Sequence, residues 1–196
     1  AFKISCMGAK VAEEIFNQKS ALKTAQKLLS GITGLDDKSI VNACKMVTYD
    51  VWYRNPMGAM MAKGVNETNP DTETIQNIRI MVERSIKFWN EFGPIEQDGF
   101  TFEPNGYTET VNTGDGDYLT ADTIWDFKVS KSKLTNKHTL QLLMYWIMGQ
   151  HSGQEIYKNI TKLGIFNPRL NSIYTLNIDN IAFEIIEEIE KHVICY

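Results

Sequence analysis

The sequence predicts an α/β protein in which a mixed β-sheet is flanked by helices and preceded by a helical N-terminal region. Three observations predict it. Residues 1–68 carry apolar residues at helical spacing but no sustained alternation. A long amphipathic stretch follows, and the period then shifts towards two in short runs separated by turn residues. Helical spacing returns once, two more alternating runs follow, and the chain closes on an amphipathic helix, an order that suits a mixed sheet with helices packed on it.

Val11, Ile15, Ala21, Leu22, Ala25, Leu28 and Leu29 predict a helix over residues 9–29 that stops at Gly31. A second is expected over 39–52. An irregular connection with Met57, Met60 and Met61 then leads to Asn69-Pro70-Asp71. Proline in the first turn, where its missing N–H costs nothing, and acids near the positive dipole end mark a helix start there. Ile75, Ile78, Val82, Ile86 and Trp89 form the stripe of that helix, over residues 70–92, and Gly93-Pro94 ends it. Strands are expected at 99–103, 107–111, 118–119 and 124–129, a helix at 137–148, strands at 161–166 and 172–177, and a last helix at 181–193. Residues 1–68 read as the helical region and 69–196 as the core, the two packed as one compact unit.

Composition excludes several classes. With 43% hydrophobic residues in 196, the chain is long enough to bury a sizeable core. The formal charge of -4 supplies no global field for nucleic acid, so any such contact needs a local basic patch. Three widely separated cysteines, Cys6, Cys44 and Cys195, suit neither a disulfide framework nor a zinc or four-cysteine iron–sulfur site, and read as reduced, mostly buried thiols. No apolar run is long enough to span a bilayer and no phosphate-binding Walker loop is present. A soluble cytoplasmic protein with no membrane partner and no ATP is therefore expected.

Residues 114–131, GDGDYLTADTIWDFKVSK, carry the chemistry. Strand alternation sends Trp125, Phe127 and Val129 to one face and Asp126 and Lys128 to the other. If the hairpin turn centres on Ala121-Asp122, Asp117 stands opposite Asp126. Opposed carboxylates repel unless a cation or proton lies between them, and a hard divalent ion that keeps several waters suits such a pair. Asp115 shares the parity of Asp117, so register alone does not exclude it. In the helix that follows, His138, Gln141 and Tyr145 fall on one face.

Gly114-x-x-Asp117, Asp126-Phe127-Lys128 and Gln141-x-x-x-Tyr145, in this order and on these elements, resemble the PD-(D/E)XK nuclease superfamily, in particular its RecB-like and phage-type exonuclease branch. The resemblance covers residues 70–177 and implies a restriction-endonuclease-like core. It implies a metal-dependent deoxyribonuclease using Mg²⁺ or Mn²⁺, acting as an exonuclease in phage or bacterial recombination, repair or defence. Asp117 and Asp126 would be metal ligands, joined by the backbone carbonyl of Val129 and by a glutamate from the first core helix, with Glu83 the first candidate and Glu67 the second. Lys128 would orient the attacking water and stabilise charge on the phosphate, which hydrolysis of a phosphodiester requires. Gln141 and Tyr145 would position the helix, the lysine or the nucleic-acid backbone. Relatives in this branch often hold an iron–sulfur cluster through four cysteines, which this chain lacks.

Lys131, Lys133 and Lys137 with His138 form the densest basic stretch, leading from the acids into the helix, and are expected to contact DNA, single- or double-stranded, through its phosphates. Arg169 falls in a turn between the late strands, and Trp146 and Tyr107 are read as core aromatics rather than base-stacking ones. A homo-oligomer or a larger recombination complex stays open as the setting. The alternative reading is a catalytically idle nucleic-acid or protein-binding module on the same fold.

Overall fold

A computed structural model describes residues 2–196 of the chain. They divide into two compact units between Ile80 and Met81, later in the chain than the boundary expected at 68/69. The division falls inside one long helix, so no loop marks it.

In the N-terminal unit, α1 (Lys3–Glu14) and α2 (Ala21–Ser30) replace the single helix expected over 9–29. The break has a local cause: Asn17 and Ser20 adopt left-handed backbone with φ of 55° and 66°, which no continuous helix permits. The two helices pack Ala9, Ala12, Ala21 and Ala25 against Met46 and Tyr49. Gly8 allows the approach, since a Cβ there would lie 1.8 Å from the Tyr49 carbonyl oxygen. Helix α3 (Asp37–Met46) is capped by Asp36, whose Oδ1 accepts the Ser39 N–H at 3.0 Å. The hydrogen bonds from Ser39 hold the Asp36 carboxyl below its ordinary range. Two short helices follow, α4 (Asp50–Arg54) and α5 (Pro56–Ala59), the latter with proline in its first turn and Asn55 accepting from the Gly58 N–H.

Helix α6 (Thr72–Phe92) gives its second half to the C-terminal unit. That unit is an α/β layer structure. Strands β1 (Gln97–Phe100), β2 (Gly116–Leu119), β3 (Thr123–Phe127), β4 (Lys162–Asn167) and β5 (Ser172–Asn177) form one sheet in sequence order. All neighbours are antiparallel except β3 and β4, which run parallel and are joined across the sheet by α7 (Asn136–Ser152). Helix α8 (Phe183–Ile189) widens into a looser turn reaching Ile194.

The parallel central strands β3 and β4 are buried on both faces, whereas the edge strand β5 is largely exposed. On one side Trp125 and Phe166 meet Phe88 of α6, with Phe88 stacked on Phe166 at 4.3 Å and edge-on to Trp125 at 4.7 Å. On the other, Leu119, Ile124, Leu163 and Ile165 meet Leu142, Leu143, Ile147 and Met148 of α7. Gly164 makes room for the indole, because a Cβ on it would sit 2.3 Å from Trp125.

Two expected strands differ. The first lies at 97–100 rather than 99–103, and residues 107–111 are not a strand. There the Thr108 N–H closes a turn onto the Val111 carbonyl at 3.0 Å, and the Tyr107 hydroxyl donates to the Gly114 carbonyl at 2.6 Å. The apolar residues that mimic alternation anchor a loop to the core. Among the cysteines, Cys6 and Cys44 are partly buried, whereas Cys195 is exposed, against the expectation of mostly buried thiols. Among the described residues no helix is long and apolar enough to cross a membrane.

Candidate active site

The hairpin of β2 and β3 sets Tyr118 against Trp125 and Leu119 against Ile124, so one further step along the same register brings Asp117 opposite Asp126. Alternation then separates the roles. Trp125 and Phe127 join the aromatic cluster on α6, while Asp126 turns towards the α7 side. Approach to Asp117 is through Gly114, whose φ of 146° suits only glycine, and Gly116, where a Cβ would lie 1.8 Å from the Phe100 ring. The glycines of this segment thus serve its backbone path.

Asp126 is only 7% exposed. Its Oδ1 meets the Lys128 Nζ at 2.9 Å, while its Oδ2 is buried with no hydrogen-bond partner among the described residues. An unpaired buried carboxylate oxygen is costly, and native proteins rarely tolerate one without a function or an absent ligand. Lys128 reaches on to α7: its ammonium donates to Gln141 Oε1 at 3.3 Å, and Gln141 Nε2 donates to the Tyr145 hydroxyl at 2.8 Å. The four-residue spacing on one helical face lets Gln141 bridge the lysine and the tyrosine. Asp126, Lys128, Gln141 and Tyr145 thus form one continuous polar chain from strand to helix.

Asp117 stays open to solvent on one side, and its Oδ2 accepts the Phe127 N–H at 2.8 Å. Its carboxyl is raised above the ordinary range. Desolvation is the largest cause and repulsion from Asp126 and Asp115 adds to it, against lowering by the Phe127 hydrogen bond and by Lys128. Burial likewise raises the Tyr145 hydroxyl, with Asp115, Asp126 and Asp117 contributing. The group is an acid-rich cluster with one lysine in it.

Asp115 enters this field where parity had only left it open. Its exposed side chain acts on both Asp117 and Tyr145. Glu83 is exposed on α6 and is not among the charges that shift Asp117, and Glu67 lies in the N-terminal unit, where its Oε2 accepts the Gly64 N–H at 3.0 Å. Val129 is exposed in the loop after β3, and among the described residues no hydrogen bond occupies its carbonyl. Among the described residues no three His, Cys, Asp or Glu side chains stand close enough together to hold a metal ion. The donors nonetheless fit a hard divalent cation of the kind that takes one or two carboxylates and keeps its waters, since Asp126 Oδ2 is unpaired and Asp117 has an oxygen free of the Phe127 contact.

Lys131, Lys133 and Lys137 are exposed, and none is in an ion pair among the described residues. His138 is partly buried, and its Nδ1 accepts the Thr135 N–H at 3.2 Å, so that nitrogen is spent on capping α7. Trp146 donates its Nε1 to the Ile160 carbonyl at 3.0 Å and packs on the core, as does Tyr107. Arg169 is exposed at the β4–β5 turn, and its carbonyl accepts from Arg84 at 3.0 Å. Compared with protein-family models, with curated proteins and with solved structures, the chain matches none of them.

Proposed function

We propose that the chain is a metal-dependent deoxyribonuclease with a PD-(D/E)XK-type site on a restriction-endonuclease-like core. The observation that carries the reading is the buried, unpartnered Oδ2 of Asp126, beside Lys128 and opposite Asp117 across the hairpin. Two acids and a lysine gathered in this way are expensive for stability alone, because the acids repel and one oxygen goes unpaired. The elements support it too: the acids stand on the second and third strands of an antiparallel meander and the glutamine and tyrosine on the helix that follows, the places the resemblance implies.

A divalent ion bound by these acids would supply a more acidic water and positive charge for the phosphate. The remaining work falls to the chain's own groups. Asp117 and Asp126 would hold the cation. The Lys128 ammonium, fixed by Asp126 and Gln141, has one N–H left to direct at a water or a phosphate oxygen. Gln141 and Tyr145 keep that ammonium from swinging away. In the hydrolysis itself a water oxygen bonds to phosphorus, the ester P–O bond breaks, and a proton passes to the leaving oxygen. The exposed Lys131, Lys133 and Lys137 would meet the backbone phosphates.

The test is incubation of the purified protein with linear and with covalently closed circular DNA, in Mg²⁺, in Mn²⁺ and in chelator, beside Lys128→Ala. The expected result is metal-dependent loss of linear DNA that the variant lacks, while nicking of circles would make the enzyme an endonuclease. Cleavage in no lane, or equal cleavage by the variant, would overturn the reading and favour an idle binding module.

A further inference from the structure

The charge of the chain is unevenly divided. Residues 1–80 hold ten Lys and Arg against eight Asp and Glu, a formal +2, whereas residues 81–196 hold ten against sixteen, a formal -6. Within the N-terminal unit no acid occurs between Glu14 and Asp36, and that stretch contains Lys19, Lys23 and Lys27. Lys23 and Lys27 lie one turn apart on α2, and Lys19 is in the turn that leads into it. All three are exposed, and among the described residues none of their ammonium groups is in an ion pair or a side-chain hydrogen bond. Gln26, also exposed, lies on the same side and offers a neutral donor.

We propose that this face of α2, made of Lys19, Lys23, Gln26 and Lys27, is a contact surface for the sugar–phosphate backbone of DNA. The inference rests on the nuclease reading for its choice of polyanion. Helical geometry places Lys23 and Lys27 about 6 Å apart along the axis, with Lys19 in the turn before them; the nearest acid, Glu13, is spent on the α2 N-terminus, where it accepts the Leu22 N–H at 2.9 Å. Such a row suits a regularly charged strand better than a single anion. An anionic membrane is the competing polyanion, but helices that bind one insert a free apolar face. The apolar side of α2 is already used: Ala21 and Ala25 are 5% and 3% exposed, and Leu22 and Leu28 pack on the core of the unit. Leu29, 37% exposed, is the one large apolar side chain α2 leaves outward, too little to insert in a bilayer; the rest of that face is charge and amide, the groups that hold a phosphate backbone without reading bases.

The experiment measures binding of a labelled linear duplex by fluorescence anisotropy, in chelator to prevent cleavage, across a series of salt concentrations. Wild type is compared with Lys19→Gln/Lys23→Gln/Lys27→Gln. Each lost phosphate contact removes about 0.9 from the slope of log affinity against log salt, so the triple variant is expected to be shallower by about 2.7. Circular dichroism identical to wild type shows that the variant folds. If it does not, the single Lys23→Gln variant, expected to be shallower by about 0.9, carries the test. An unchanged slope, no DNA binding by wild type, or binding to phosphatidylserine vesicles but not to DNA would each overturn the inference. If cleavage depends on Lys128 but the slope is unchanged, the nuclease reading stands and this surface falls. If DNA binding depends on the three lysines in a protein that cleaves nothing, the surface stands and that reading falls.

Discussion

Replacing Lys128 by methionine keeps most of the stem volume and deletes the charge. The Asp126 carboxylate, 7% exposed, then loses its one protein partner, an ammonium 2.9 Å away. At an effective dielectric constant of about 20 the lost attraction is roughly 6 kcal/mol, part of which desolvation of the pair already offsets. Stranding one member of a buried pair costs about 3–5 kcal/mol; the Lys128 side chain is 25% exposed, so water can approach and the low end, about 3 kcal/mol, is expected. For a chain of this size that lowers the thermal midpoint by roughly 6–12 °C. The assay is thermal unfolding in chelator at neutral pH, with Asp126→Asn/Lys128→Met alongside. The double variant removes the stranded charge and should recover at least half of the loss, while neither variant cleaves DNA. If Lys128→Met melts with wild type, or the double variant melts with the single one, the buried pair does not have the energetics described.

Asp117→Asn should raise the thermal midpoint at pH 7 without metal. A carboxyl raised in the folded state opposes folding once pH passes that raised value, and the gap between variant and wild type should close below the ordinary carboxylate range. A lower midpoint for Asp117→Asn at pH 7 would contradict the account in which desolvation, with repulsion from Asp126 and Asp115, raises this carboxyl. Asp122 behaves oppositely. Hydrogen bonds from Lys162 and Thr123 hold its carboxyl low, so the advantage of wild type over Asp122→Asn should be present at pH 7 and vanish as pH falls through the lowered value, seen as converging melting curves. Gly116→Ala should cost about 1–3 kcal/mol in urea unfolding, since its Cβ would enter the buried Phe100 ring. Tyr145→Phe removes the acceptor for Gln141 and should slow DNA cleavage roughly 10–100-fold without abolishing it, read as kcat and KM separately.

Much of the site is legible because strand alternation and hairpin symmetry are rigid rules. Placing the turn at Ala121-Asp122 suffices to set Asp117 against Asp126, and the four-residue spacing suffices to align Gln141 with Tyr145. The parts that escape depend on backbone conformation or on long-range packing. The α1–α2 break turns on the left-handed Asn17 and Ser20, and asparagine is the one weak signal for it. The loop at 107–111 looks like a strand because Tyr107 and Val111 are spaced like one, while what anchors it, the Tyr107 hydroxyl on the Gly114 carbonyl and packing on the core that includes α7, depends on tertiary placement that spacing does not carry. The influence of Asp115 on Asp117 depends on how the chain turns at Gly114, which spacing does not specify.

All five residues of the proposed catalytic set fall between Asp117 and Tyr145, on one hairpin and the helix after it. Genetically this is a single short cassette. A recombination event upstream would exchange the α2 surface proposed to grip a substrate while passing on the proposed reactive residues intact, with Lys131, Lys133 and Lys137 carried along among them. Selection can therefore retune what such a chain holds without reinventing what it does.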